Sequence, residues 1–422
     1  MENKKKETLK NNQYHQFISI FISSIIFCYF IYGFYTNENS AGAGGYDGDF
    51  KLIWSNLLLF KENIILNLNN PIYNDSRTPL IYILHVLVNP FSNDQESFRN
   101  SVFIISFLIP LLLFFCIKEK FPNLNNSLVL LLTSIIMLSP YFRTSAYWGL
   151  GENYGLFFLL GSYLFFMKLK KDYTYNSDAR NIILVFLICI FSSLTIYFDQ
   201  KLIFIPALIF FSILSIDFNF KIKLSALIFF IIFSIPYIYL IYLWGSIIPS
   251  SAASARGVGK ELYLVNLGYC LTIIGFYIAP LLLFKDFNTF ELKRKFNIKK
   301  ILFFLFLFII YFLVTFYLND FETLGNDGKG VFHKLFLIVF DGSRLRLTFT
   351  IISFLAGIIL INIFFEDKRD LLIVSFFLIL SILTFPFYQE YLDPLILILV
   401  FTFFKIKLNI SNENTYFIVI YF

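Results

Sequence analysis

Two carboxylates, Asp47 and Asp49, stand in the polar break Gly45-Tyr46-Asp47-Gly48-Asp49-Phe50, directly after the first long apolar segment of the chain. An Asp at the centre of an inserted helix costs about 2.5–3.5 kcal/mol, so a pair beside a membrane segment is either solvated loop or functional site. As a general base, such a carboxylate takes the proton of an incoming hydroxyl or amine. Other charged residues recur in later polar stretches: Asp75, Arg77 and Arg99, then Arg143 and Glu152, then Asp199 and Lys201. Further along come Arg256, Lys260 and Glu261, the run Asn326 to Gly330, and Glu390 with Asp393. Arg and Lys neutralise phosphate, Arg with bidentate contacts, so the set suits a substrate with a phosphate head and a lipid tail.

These residues divide by setting. Asp75, Asn326 to Gly330 and Asp393 read as ordinary solvated loop residues. The loop at 198–200 is too short to reach freely into water, which predicts that Asp199 and Lys201 are held at membrane depth and paired. Arg143 and Glu152 bracket Tyr147-Trp148-Gly149-Leu150-Gly151, whose glycines let the backbone approach another surface closely.

The elements that must position them are membrane helices. Of 422 residues, 58% are hydrophobic, 21% aromatic and only 15% charged, too apolar for a soluble protein of this length. The expected fold is all-α and polytopic, a single transmembrane domain over 1–422. After a first helix from Phe17 to Tyr35, apolar runs recur at 101–118, 127–142, 153–167, 180–197, 201–216, 222–244, 263–284, 299–318, 347–365, 370–386 and 391–408. That predicts about twelve transmembrane helices. The first run is long enough to span, so it reads as a retained helix and not a cleaved signal.

With residues 1–16 in the cytoplasm, the basic clusters at 118–120, 168–171, 221–223, 285–300, 368–369 and 405–407 all become cytoplasmic. The opposite face then receives 37–100, a large outer loop, and the other charged stretches named above. This alternation requires that the apolar stretch Pro79 to Phe91 does not cross, which its length supports; a helix at the interface is expected there. Residues 50–68 carry Phe50, Ile53, Trp54, Leu57 and Leu58 near helical spacing, a second interfacial amphipathic pattern.

The layout of residues 17–105 resembles the GT-C superfamily of membrane glycosyltransferases, including protein O-mannosyltransferases and the lipid A aminoarabinose transferase group. Asp47-Gly48-Asp49 stands at the acidic motif, Asn74-Asp75-Ser76-Arg77-Thr78-Pro79-Leu80 resembles the Pro-Leu segment, and Arg99 occupies the place of a downstream Arg. The familiar motif has adjacent carboxylates, whereas Gly48 separates them here. The resemblance implies transfer of a sugar from a polyprenyl-phosphate carrier to a glycan, lipid or protein acceptor, with inversion. Asp49 or Asp47 is then the base, and Arg77, Arg143, Lys201 and Arg256 face the departing phosphate. Some relatives use a divalent ion, and carboxylates with few histidines suit Mg²⁺ or Mn²⁺, although Asp47 and Asp49 alone make no cage.

Two other classes fit the span pattern: a transporter or flippase of lipid-linked saccharide, and an O-antigen-type polymerase. Charges deep within the spans are scarce, which favours chemistry at the outer face over a midplane transport site. The net charge of +6 lies in short clusters that set membrane orientation, so nucleic acid is not an expected partner. Cys28, Cys116, Cys189 and Cys270 each stand alone, as do His15, His85 and His333, which indicates neither a disulfide framework nor a Cys/His metal site. The expected location is the bacterial inner membrane.

Overall fold

A computed structural model describes residues 2–41, 44–173, 178–249, 252, 262–285, 296–318, 330–340, 343–384 and 387–422. These are helices and connecting turns, with no strand among the described residues. They form two compact units, Met1–Ala255 and Arg256–Phe422.

The first unit contains α1 (Glu2–Tyr35), α2 (Lys51–Glu62), α3 (Ile64–Asn67), α4 (Leu80–Val88), α5 (Gln95–Ser106), α6 (Leu108–Lys120) and α7 (Asn126–Ser134). It continues with α8 (Pro140–Trp148), α9 (Gly151–Asp172), α10 (Asp178–Phe198), α11 (Phe204–Ser215) and α12 (Phe220–Trp244). Local chemistry sets the boundaries. Asp94, Asn125, Ser139 and Asn219 each accept a backbone N–H of the first turn they precede. Before α8, Pro140 forces Ser139 into an extended conformation, and the path from Asn126–Leu138 into α8 bends by 73°.

Within α12, Pro236 has no N–H to continue the ladder, and a side chain from α10 repairs the gap. The Tyr197 hydroxyl accepts from the Tyr237 N–H at 2.9 Å and donates to Phe233 O at 2.8 Å. Those two backbone groups are each other's partners in an unbroken helix. α10 packs along both α9 and α12, and this hydroxyl ties the last turn of α10 to α12.

The expected alternation of loops is realised at two ends of this unit. At one end Lys171 pairs with Glu119, Arg180 with Asp172, and Lys221 with Asp178. At the other, Arg143 pairs with Glu38, Arg77 with Glu152, and Trp244 Nε1 donates to Leu68 O at 2.8 Å. Short helices also form over the two amphipathic stretches, α2 and α4. α4 has nine residues, about 13 Å, too short to cross hydrocarbon of about 30 Å. It packs against α2, which buries Ile53, Leu57 and Phe60 and leaves Leu58 exposed.

The second unit contains α13 (Asn266–Ile278), α14 (Ile298–Leu318), α15 (Val331–Val339), α16 (Ser343–Phe364), α17 (Lys368–Leu383), α18 (Leu395–Phe401) and α19 (Asn412–Tyr421). α13 and α16 cross closely because both are glycines at the contact: a Cβ on Gly357 falls 2.5 Å from Leu271 O, and one on Gly275 falls 3.3 Å from Gly357 Cα. Tyr311 of α14 stacks on Phe354 with ring centroids 4.0 Å apart.

Among the described residues, five helical spans are long and apolar enough to cross a membrane: Gln13–Tyr35, Gln95–Lys120, Asp178–Phe198, Phe220–Trp244 and Asn266–Phe284. The bent pair Asn126–Leu138 and Pro140–Trp148 makes a sixth if it is one span. The protein is therefore a helical integral membrane protein, and the described residues account for five or six of the twelve spans expected. The segment 391–408 corrects one expectation. Its helix is only Leu395–Phe401, about 10 Å long, and every residue of it is buried in the second unit. Replacing Tyr197 by Phe strands Phe233 O and the Tyr237 N–H, and thermal unfolding in detergent should show a loss of about 1–3 kcal/mol. In a Pro236→Ala background the helix can close that bond itself, so the same substitution should cost markedly less.

Candidate functional site

The acidic motif forms one π-helical turn, Tyr46–Phe50, closed by the Phe50 N–H donating to Gly45 O at 3.0 Å. Such turns recur at functional sites. It depends on Gly44 and Gly45, whose φ of +120° and +50° an L side chain rarely adopts. The turn runs directly into α2, so Asp47 and Asp49 lie at the positive end of that helix's dipole. Asp47 is 82% exposed and accepts from Lys51 Nζ at 2.6 Å. Asp49 is half-buried.

Aromatic packing holds the turn against α5 and α8. Phe50 is buried against Phe98 and Trp148, and Tyr46 packs edge-on to Trp148 while its hydroxyl donates to Gln95 Oε1 at 3.0 Å. The guanidinium of Arg99 lies between the rings of Phe34 and Trp148, 4.3 Å from each centroid. It donates to Tyr147 O, Asn37 Oδ1 and Phe34 O at 3.0, 2.5 and 2.8 Å. Arg99 thus ties the end of α1 to α5 and α8. Arg143 does similar work with a different set: Nη2 donates to Glu38 at 2.6 Å and the guanidinium covers the ring of Tyr29. Its Nε and Nη1 are buried without a hydrogen-bond partner among the described residues.

A second charged group gathers on the same end. Arg77 donates to Asp75 Oδ1 at 3.1 Å and to Glu152, and Lys201 lies 4.0 Å from Glu152 and 3.5 Å from Asp199. Asp75 Oδ2 accepts from the Tyr82 hydroxyl at 2.5 Å, and that oxygen accepts from Asn56 Nδ2 of α2 at 3.3 Å. The run Asn56, Tyr82, Asp75, Arg77, Glu152, Lys201, Asp199 therefore links the interfacial helices to α9 and α10. Glycine lets the parts meet. A Cβ on Gly151 falls 2.9 Å from Phe198 O and 3.2 Å from Arg77 Cδ, and one on Gly155 falls 3.0 Å from Asp199 Cβ. Burial and the nearby Glu152 carboxylate raise the Asp199 pKa, opposed by Lys201 and Arg77.

Asp199 and Lys201 are thus paired as expected, and Arg143 and Glu152 each meet an opposite charge, Glu38 and Arg77. Two residues expected to be solvated are not: Asp75 is 1% exposed and Asp393 of the second unit is 3% exposed. Asp75 is drawn in by its bonds to the Arg77 N–H, Arg77 Nη1 and Tyr82. Glu390 lies in a 3₁₀ turn of the second unit. Arg256, Lys260, Glu261 and Asn326 to Lys329 lie outside the described residues.

Sequence reasoning also missed a buried histidine. Asn89 Oδ1 accepts from the Phe91 N–H, which turns its amide nitrogen to His85 Nδ1 at 3.0 Å. Burial pushes the His85 pKa down to about 4, so the neutral ring carries its proton on Nε2 and donates to the Tyr154 hydroxyl at 2.9 Å. Among the described residues no group of three or more His, Cys, Asp or Glu side chains is arranged to hold a metal ion.

Glu152→Gln weakens the contacts of two buried cations together and should cost about 3–5 kcal/mol in thermal unfolding. Asp199→Asn should cost less and change the pH profile. Because the folded Asp199 carboxyl binds its proton more tightly than the unfolded one, wild type loses stability as pH rises from about 4 through the raised value, and the Asn variant should lack that loss. Set beside family models, curated proteins and solved structures, the chain matches none of them.

Proposed function

We propose that this protein is a membrane glycosyltransferase of the GT-C kind, which moves a sugar from a polyprenyl-phosphate carrier to an acceptor at the outer face, with inversion. The observation that supports this best is the meeting, at one end of the first unit, of an acidic turn, two short amphipathic helices and a buried group of charges. Lysine-rich loops lie at the opposite end, which by the positive-inside rule is the cytoplasmic one. α2 and α4 lie along the bilayer surface, where a lipid-borne substrate is presented.

In this reading Asp49 is the base. It is more enclosed than Asp47, whose carboxylate is mostly exposed and already paired with Lys51. The acceptor hydroxyl gives its proton to Asp49, and its oxygen attacks the anomeric carbon. The bond from that carbon to the phosphate oxygen breaks, and the phosphate leaves with the electron pair. Lys201 neutralises it, since its contacts at 3.5 and 4.0 Å are the longest in the charged network and the easiest to exchange for a phosphate oxygen.

Lipids retained by protein purified in mild detergent, read by mass spectrometry, test the reading without knowledge of the acceptor. Wild type should hold a polyprenyl phosphate or its sugar adduct, and Lys201→Ala should lose it. Asp49→Asn should keep the adduct and raise its ratio to the free carrier at least tenfold, because removing a general base slows transfer by about 10²–10⁴. Asp47→Asn should leave that ratio within a few-fold of wild type. Bulk phospholipid alone in every sample would sink the glycosyltransferase assignment.

A further inference from the structure

A groove of about 620 Å³ opens between α1, α6 and α7, well away from the acidic turn. Its walls are apolar: Phe27 of α1, Leu111 and Phe115 of α6, and Leu130 of α7 are each about half exposed. The serines along it are turned away. Ser23 donates to Ser19 O, Ser24 to Ile20 O, and Ser134 to Leu131 O. Thr133 Oγ1 is the one lining hydroxyl buried without a hydrogen-bond partner among the described residues, which is too little for a saccharide with its many hydroxyls. The chemistry that fits is a hydrocarbon chain.

Charge says which molecule carries the chain. The groove runs down α6 toward the lysine-rich end, and Lys118 follows Phe115 by three residues, about 4.5 Å along the axis. Lys118 donates to the carbonyls of Pro122 and Leu124. The neighbouring carboxylates are committed elsewhere, Glu119 to Lys171 and Asp172 to Arg180, so neither answers the charge of Lys118. At the opposite end Arg77 is held by Asp75 and Glu152, Arg99 by Asn37 and two carbonyls, and Arg143 by Glu38. An anionic head group is therefore favoured at the lysine-rich end.

We propose that this groove binds one acyl chain of an anionic phospholipid from the leaflet at the lysine-rich end, with the lipid phosphate on Lys118. This site is separate from the glycosyltransferase reading and does not depend on it. Cys28 lines the groove and is exposed, whereas Cys116, Cys189 and Cys270 are buried, so a thiol-directed fluorophore reports from inside it. In vesicles with brominated-chain phosphatidylglycerol or phosphatidylcholine, the phosphatidylglycerol should quench the Cys28 label at a several-fold lower mole fraction. Lys118→Gln should reduce that preference by about fivefold, the effect of one lysine near an anionic surface. Leu130→Trp, which fills the groove from its α7 wall, should abolish it. Native mass spectrometry of unlabelled protein should show one phosphatidylglycerol retained in preference to phosphatidylcholine. Equal quenching by the two lipids, a preference that survives Lys118→Gln, or displacement of the phosphatidylglycerol by a polyprenyl phosphate would each overturn the proposal.

Discussion

The carboxylate of Glu152, placed between Arg77 and Lys201, is the interaction on which the charged end of the first unit depends. It stands in the first turn of α9, where the helix dipole favours a negative charge, and it draws in a loop arginine from 75 residues earlier in the chain. Charges buried near lipid persist only when each meets an opposite one, so the loop before α4 and the turn after α10 have little freedom to leave α9. Gly151 and Gly155 complete the constraint. Any side chain at either position would meet Phe198 O, Arg77 or Asp199.

Most of what organises the fold could be read from the chain's pattern of charge and hydropathy. Basic and mixed loops of the first unit gather in separate groups, and the stretch Pro79 to Phe91 contains a short helix, Leu80–Val88. What failed was the step from apolar composition to a membrane span. Leu395–Phe401 is as hydrophobic as any lipid-facing helix, yet it is buried in protein on all sides, and periodicity cannot tell these settings apart. Asp75 was illegible for a related reason. Its sequence neighbours are polar, and the groups that bury it, Tyr82 and the Arg77 that reaches Glu152, matter only once α4 and α9 are packed.

Charge type alone also said little about role. Arg143 looked equivalent to Arg77 as a phosphate ligand and Arg99 stood at the place of a family Arg, and their neighbours hold each of them in a different way. Arg99 is stacked between two aromatic rings with donors on two backbone carbonyls, and Arg143 is held by Glu38 and Tyr29. Both fix the exit of α1 against α8, which is what lets the residues after Tyr35 turn back toward Trp148. The rings of Phe34 and Trp148 could not be foreseen as partners, because they lie 65 residues before and 49 after Arg99 in sequence only by the accident of packing order.

The two acidic groups on this end are held in different ways. A carboxylate held between a guanidinium and an ammonium, as Glu152 is through Oε1, cannot lose its charge without weakening both contacts. The acidic turn is built the other way. Its backbone is fixed by two glycines and by the burial of Phe50, and it carries Asp47, paired with Lys51, and the half-buried Asp49 at the positive end of α2. A site that keeps its supporting charges buried and its acidic side chains on a separately anchored turn can change the protonation of one without loosening the other. The proposed role of Asp49 as a base draws on that separation, because a group that gains and loses a proton must not be one that the fold needs charged.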